Sequence, residues 1–68
     1  MDGDEFVRLI KKAGRRHGVA VHFDPRRGKG SHGRLYYGQR FTTVKRSEVS
    51  PGLFAKMLKD LGLSRTDL

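Results

Sequence analysis

The chain has 68 residues and a formal net charge of +8 at pH 7, from 15 Lys or Arg residues and 7 Asp or Glu residues. This length predicts one domain, residues 1–68, with a single thin core. The charge favours a polyanionic partner such as RNA. The sequence has no cysteine, which excludes disulfide and thiolate chemistry and agrees with a cytoplasmic location. No apolar run is long enough for a signal peptide or a membrane span. The positive charge is concentrated in the predicted loop and strands rather than on a basic amphipathic helix, so no membrane partner is expected.

The N-terminal segment has the pattern of an amphipathic helix. Its apolar residues at helical spacing are Phe6, Leu9, Ile10 and Ala13. Acidic residues precede this stripe and basic residues follow it, an order that complements the helix dipole. Gly14 is the predicted end of the helix, because glycine adopts a left-handed conformation at little cost. The basic end either contacts phosphate or only compensates the dipole.

Three β-strands are predicted next. Residues 19–23 alternate between apolar and other residues, so that His22 points away from the apolar face. A second strand is expected near residues 34–37 and a third at residues 40–44, which is rich in β-forming residues. Gly38-Gln39 has the composition of a two-residue hairpin turn between them.

This turn predicts the register of the second and third strands. With Tyr37 opposite Arg40, Leu35 lies opposite Thr42 and on the same face. The core face then contains Leu35, Tyr37, Thr42 and Val44, together with Val19, Val21 and Phe23. The opposite face, called the open face here, contains His32, Arg34, Tyr36, Phe41, Thr43 and Lys45. Positive charges with two interleaved aromatic rings suit phosphates and bases. A three-residue turn would shift this assignment by one residue.

A second helix is predicted near the C-terminus. Ser50 is its N-cap, Pro51 takes the first helical position, and Gly62 ends it. Its apolar stripe consists of Phe54, Met57, Leu58 and Leu61. Both helices must cover the same face of the sheet, because no other segment is apolar enough. The predicted fold is α+β, with the order α-β-β-β-α and a three-stranded antiparallel sheet carrying two helices on one face.

The segment between the first two predicted strands is rich in glycine and positive charge, and we call it the basic loop. It opens a longer stretch, residues 25–47, that contains seven Lys or Arg residues and no Asp or Glu. Gly28-Lys29-Gly30 does not have the spacing of a Walker-type phosphate loop. The predicted RNA contacts are Arg26, Arg27, Lys29, Gly30, Ser31, Arg34, Tyr36, Lys45 and Arg46. The glycines would allow an RNA backbone to approach closely.

The available chemistry is acid–base catalysis by histidine. The carboxylates are scattered and the histidines lack zinc-type spacing, so neither a metal nor another cofactor is expected. RNA carries its own nucleophile, the 2′-hydroxyl, whose proton a histidine can remove at neutral pH. Neighbouring cations would stabilise the developing charge. His32 is the candidate because it lies between glycines in the basic loop, whereas His17 is expected in solvent and His22 on the open face. DNA would be inert, and no DNA contact is expected for the chain alone.

Several segments resemble one known family. Gly30-Ser31-His32 entering a strand, Thr42-Thr43-Val44, and residues 50–63 ending in Leu61-Gly62-Leu63 resemble the HicA toxins of bacterial HicA–HicB toxin–antitoxin systems. The resemblance covers nearly the whole chain and includes the opening helix ending at Lys12-Ala13-Gly14. It implies a fold like that of double-stranded-RNA-binding domains and a metal-independent mRNA interferase with His32 as its catalytic histidine. It also implies a role in stress response and a HicB-type antitoxin partner.

The chain departs from the family pattern at two places. Gly33 stands where HicA toxins often have a second residue such as histidine. Lys45 and Arg46 stand where a proline and then a histidine are common. Two other functions remain open: a non-catalytic RNA-binding module, and a basic structural or ribosome-associated protein that folds on an acidic partner. An antitoxin is expected to approach with an acidic surface and to cover His32.

Overall fold

The computed structural model describes residues 1–26 and 32–68. Its elements are α1 (Gly3–His17), β1 (Val21–Asp24), β2 (His32–Tyr37), β3 (Arg40–Lys45), α2 (Pro51–Asp60) and a 3₁₀ turn (Arg65–Asp67). The strands form one antiparallel sheet in the order β1-β2-β3. The predicted α+β class and the α-β-β-β-α order are confirmed. In the part of the chain that is described, no helix has both the length and the apolar character needed to cross a membrane.

Helix α1 begins at a capping box and ends one turn later than predicted. The Asp2 carboxylate accepts a hydrogen bond from the Glu5 N–H at 2.8 Å, and the Glu5 carboxylate accepts one from the Asp2 N–H at 3.3 Å. The predicted end at Gly14 is wrong, because Gly18 takes the left-handed conformation, with φ 68°. Gly14 is buried inside the helix, where a Cβ would collide with the Val21 side chain. Its role is therefore close packing of α1 on β1.

Strand β1 is shifted relative to the prediction of residues 19–23. The Val19 N–H donates to the Gly14 carbonyl at 2.9 Å, so Val19 belongs to the end of α1 rather than to the sheet. Asp24, which lies beyond the predicted strand, is the last residue of β1 and lies opposite Arg34. The acidic side chain of Asp24 is thereby placed on the open face.

The predicted register of β2 and β3 is confirmed. Tyr37 lies opposite Arg40 and Leu35 opposite Thr42, across a two-residue turn in which Gly38 has φ 61°. Leu35 has no exposed surface, and Thr42 and Val44 are each 2% exposed. The alternate residues of these strands therefore point away from the core, as predicted.

The core lies between the helices and one face of the sheet. Phe6 of α1 packs edge-to-face on Phe54 of α2, with 5.7 Å between ring centroids. The largest fully buried apolar side chains are Phe6, Ile10, Leu35, Met57, Leu61 and Val44. These residues come from both helices and from β2 and β3, so the helices cover the same side of the sheet. The other side is left to the polar and aromatic residues of the open face.

A polar network joins β3 to the end of α2. The buried Thr42 hydroxyl donates to the Asp60 carboxylate at 2.9 Å, and the Lys56 ammonium donates to the same oxygen at 3.1 Å. The hydrogen bond from Thr42, followed by that from Lys56, lowers the pKa of Asp60 below its ordinary value of 3.8. The hydrogen bonds to the ionised Asp60 carboxylate therefore contribute their whole stabilising free energy above pH 3.8. This contribution is lost as the pH falls through the depressed pKa. The Arg40 guanidinium adds a hydrogen bond to the Asp60 carbonyl at 3.0 Å, where helix carbonyls lack partners.

The two ends of α2 have the predicted caps. The Ser50 hydroxyl accepts a hydrogen bond from the Leu53 N–H at 3.2 Å. At the other end, the Leu63 N–H donates to the Leu58 carbonyl at 2.9 Å, and Gly62 has φ 72°. These contacts form a Schellman-type end at the predicted glycine.

The C-terminal 3₁₀ turn is tied to the end of α1. The Ser64 N–H donates to the Asp67 carboxylate at 2.8 Å, and the hydrogen bonds from Ser64 lower the pKa of Asp67. The His17 Nε2 atom lies 2.7 Å from the Asp67 carbonyl oxygen. His17 is exposed, as expected, and its contact is a structural one at the periphery of the fold.

Candidate nucleic-acid interface

The open face forms a grid with three rows across the strands, because cross-strand partners lie side by side. Strand β1 adds His22 and Asp24 to the predicted residues of this face. The rows are His22, Tyr36 and Phe41; then Asp24, Arg34 and Thr43; then His32 and Lys45. The sheet thus brings together two imidazoles, two other aromatic rings, two cations and one carboxylate on one surface.

His32 lies at one end of this grid. It is the first residue of β2, is half-buried, and stands opposite Lys45 of β3. Directly opposite residues have Cβ atoms roughly 4.5–5.5 Å apart, so the exposed Lys45 is the cross-strand neighbour of His32 on the open face. Arg46 follows as the next exposed residue. A phosphate held at His32 would therefore be next to positive charge.

Three rings at the other end form a continuous row, which we call the aromatic row: His22, Tyr36 and Phe41. The His22 and Tyr36 rings are stacked, with centroids 6.2 Å apart and an interplanar angle of 24°. The Tyr36 and Phe41 rings are 5.9 Å apart and inclined at 47°. Each strand contributes one ring, so the row crosses the whole width of the sheet.

Arg34 belongs to the aromatic row rather than to His32. Its guanidinium carbon lies 4.4 Å from the centroid of the Phe41 ring, a cation–π contact. Phe41 lies on the Tyr36 side of Arg34, and His32 lies on the other side along β2. The side chain is therefore directed away from the imidazole. Among the described residues, no group accepts a hydrogen bond from its buried Nε.

His22 shares the open face with His32 but is not placed to share a phosphate with it. His22 lies opposite Tyr36, four residues beyond His32 on β2. Four residues of a strand span roughly 13 Å, whereas an acid and a base acting on one phosphate must both reach it. His22 is therefore a member of the aromatic row, and any partner of His32 in proton transfer would have to be another group.

The start of the basic loop is held by a local turn. The Arg26 N–H donates to the Asp24 carboxylate at 2.9 Å, a hydrogen bond typical of an Asx-turn. The Arg26 side chain is exposed. Asp24 is the only acidic residue in the three described strands, so the open face is positively charged overall.

Four predicted RNA contacts lie outside the described residues. They are Arg27, Lys29, Gly30 and Ser31. Their contacts with RNA stay predictions from the sequence.

The glycine after His32 is explained by packing on the core face. Gly33 is buried opposite Val44, and a Cβ at this position would collide with the Phe23 ring. A histidine side chain here would point into the core rather than toward the open face. This departure from the HicA pattern therefore removes nothing from the surface that carries His32.

Helix α1 carries a second basic surface on its exposed side. It consists of Arg8, Lys11, Lys12, Arg15 and Arg16. Within the described part of the chain, none of these residues forms an ion pair. The last-turn cations complement the helix dipole, one of the two predicted roles. This surface points away from the core and is separate from the open face.

The contacts within the aromatic row were not predicted from the sequence. The hairpin turn predicted Tyr36 opposite Phe41, but no comparable rule fixed β1 against β2, because a longer loop connects them. The stacking of His22 on Tyr36 and the position of Arg34 over Phe41 come from the structure. In residues 1–26 and 32–68, no three His, Asp or Glu side chains are grouped so that they could hold a metal ion.

Comparison with known proteins gives no match: no protein-family model, curated protein or solved structure matches this chain. The residues and the geometry of the open face are therefore the basis for assigning a function.

Proposed function

We propose that the protein is a metal-independent endoribonuclease, an mRNA interferase of the HicA type, in which His32 acts as general acid or base. The observation that carries the proposal is the position of His32 on the open face, opposite Lys45 and on the same surface as the aromatic row. RNA cleavage of this kind requires a proton-transfer group and is helped by a cation, and rings for bases suit the binding of the RNA. The resemblance to HicA toxins agrees with this inventory.

The reaction uses the 2′-hydroxyl of the RNA as its nucleophile. A base removes the 2′-hydroxyl proton, the 2′-oxygen bonds to the adjacent phosphorus, and the bond from phosphorus to the 5′-oxygen breaks. The 5′-oxygen takes up a proton as it leaves. The products are a 2′,3′-cyclic phosphate and a 5′-hydroxyl. Free imidazole titrates at about pH 6.5, so this type of side chain can supply either proton transfer at neutral pH. Lys45 stabilises the negative charge that develops on the phosphate.

The partner expected to control this activity is a HicB-type antitoxin in the cytoplasm. The open face has two cations, Arg34 and Lys45, and the single acid Asp24 in its described part. Complementary charge would favour an acidic surface on the antitoxin. Binding there would cover His32 and block access of RNA. An antitoxin that bound only the helix side and left His32 open would contradict this arrangement.

One other function is supported by a specific observation. The aromatic row provides base contacts that require no chemistry, so the chain could serve as a non-catalytic RNA-binding module. In that case His32 would contact RNA without transferring a proton. Cleavage of purified RNA separates the two functions, because both predict binding and only the endoribonuclease predicts cleavage.

Changing Lys45 to Gln tests the placement of the phosphate beside His32. We expect Lys45→Gln to slow RNA cleavage by up to roughly 10²-fold, because a charge that stabilises the transition state is lost. The slope of log K against log salt for single-stranded RNA should become shallower by about 0.7, as one phosphate contact is removed. Cleavage assays and binding titrations at several salt concentrations measure both effects.

The matched control is Lys59→Gln, which removes the same charge from an exposed residue of the last turn of α2. It should leave cleavage and the salt slope unchanged. Equal effects of the two substitutions would show that only the net charge matters and would remove Lys45 from the site. A wild-type protein that binds RNA without cutting it would leave the RNA-binding module as the function.

A further inference from the structure

The aromatic side chain of Phe41 is exposed to solvent at a position where packing of the core does not require it. Phe41 is 47% exposed on the open face, and the only other large apolar side chain exposed among the described residues is Met1. The sheet buries its core face with Leu35, Thr42 and Val44, so Phe41 contributes nothing to that core. Its ring contacts Tyr36 and the guanidinium of Arg34 instead.

These contacts hold the ring in place while one part of it remains exposed. Tyr36 is itself flanked by His22, so the row is a chain of contacts from β1 to β3. Because these contacts already restrict the side chains, the surface is preorganised and loses little further conformational freedom when a ligand binds. The guanidinium of Arg34 places a positive charge beside the exposed ring. A ligand that offers a flat π-face together with negative charge would fit both features.

We propose that the aromatic row is a base-binding subsite, in which an unpaired nucleobase of single-stranded RNA stacks on Phe41. The proposal rests on the function proposed above and specifies its substrate. Aromatic side chains and Arg guanidinium planes bind bases that are free of a duplex, because stacking requires an accessible base face. The positive charge of Arg34 beside the ring favours the phosphates on either side of that base.

The position of the subsite relative to His32 indicates which part of the RNA strand it would bind. Tyr36 and His32 are four residues apart on β2, roughly 13 Å along the strand. The row therefore lies to one side of a phosphate held at His32 and would hold another part of the same strand. Because stacking requires a base that is free of a duplex, the row would select single-stranded RNA over duplex RNA.

Binding measurements in a His32→Ala background test the subsite without cleavage. The three probes are an unstructured RNA strand, the same strand annealed to its complement, and an abasic strand of equal length. Phe41→Leu should weaken binding of the unstructured strand by about tenfold, given the typical contribution of one stacked base, and change the other two by less than about twofold. Because no charge is removed, the salt slope should be unchanged. Phe41→Trp should retain tight binding, and its fluorescence should be quenched by the unstructured strand alone.

The possible outcomes separate this proposal from the function on which it rests. Selective loss in Phe41→Leu with retention in Phe41→Trp supports the subsite, even if the wild-type protein proves to cut no RNA. Equal loss on all three probes would overturn it, because the ring would then act only through the fold or the phosphate contacts. Unchanged binding would also overturn it. So would a wild-type dimer that Phe41→Leu dissociates with no effect on RNA, since the row would then be a contact between copies.

Discussion

Replacing His32 with alanine is expected to reduce RNA cleavage by roughly 10²–10⁴-fold, the usual contribution of one general acid–base group. Binding of RNA should remain, with its salt dependence intact, because no lysine or arginine is lost. The fold should tolerate the change, since His32 is only half-buried at the start of β2. The measurement is a cleavage assay beside a binding titration, both with protein purified free of contaminating nuclease.

His17→Ala is the matched control for this substitution. His17 is exposed at the end of α1 and contacts the Asp67 carbonyl rather than the open face. The His17→Ala variant should cleave RNA at the wild-type rate. If His32→Ala cleaves as fast as wild type, His32 is not the proton-transfer group, and catalysis must be assigned elsewhere on the open face.

The largest expected effect on stability comes from Phe6. Phe6 has no exposed surface and packs edge-to-face on Phe54, so it joins the two helices over the sheet. Phe6→Ala should lower the free energy of unfolding by about 3–5 kcal/mol, from lost burial and the cavity that remains. A domain of this size has little stability in reserve. Urea unfolding followed by circular dichroism should therefore show a largely unfolded variant.

Phe41→Ala is the control for side-chain size. It removes the same ring from a half-exposed position and should lower the free energy of unfolding by about 1 kcal/mol, because the contacts with Tyr36 and Arg34 are lost and alanine favours strands less. Phe6→Leu keeps the variant folded and should cost less than about 1.5 kcal/mol. Equal stability of Phe6→Ala and Phe41→Ala would contradict the packing of both helices on one core.

The hairpin and the second helix were predictable because local chemistry determines them. Gly38-Gln39 allows a two-residue turn, and this length alone sets Leu35 opposite Thr42. The caps of α2 follow from residues within a few positions of each end, Ser50 and Gly62. No distant contact was needed for either prediction, and both were confirmed.

The end of α1 was not predictable by the same local rules. Gly14 and Gly18 both have the residue type of a helix end. The choice depends on Val21, which packs against the position where Gly14 would carry a Cβ. Such a tertiary contact cannot be predicted from the local residue pattern. The start of β1 was missed for the same reason, since Val19 follows the end of the helix.

The candidate site was predictable in part. Turn geometry placed His32, Tyr36 and Lys45 on one face before their contacts were known. The addition of His22 depended on the register between β1 and β2, which the intervening loop does not specify. The sequence likewise could not say that Arg34 lies over Phe41 rather than beside His32. Distances along and across the sheet decide these roles, and they come only with the fold.

The proposed reaction uses the 2′-hydroxyl of RNA and no metal ion. The most direct measurement compares one RNA strand with a copy that carries 2′-deoxyribose at the cleaved position, both incubated with wild-type protein in EDTA. We expect the RNA to be cut as fast in EDTA as without it, to a 2′,3′-cyclic phosphate and a 5′-hydroxyl. The strand with 2′-deoxyribose at the cleaved position should resist cleavage there. Cleavage at the deoxy position, loss of cleavage in EDTA, or intact RNA at every pH from about 5 to 8 would contradict it.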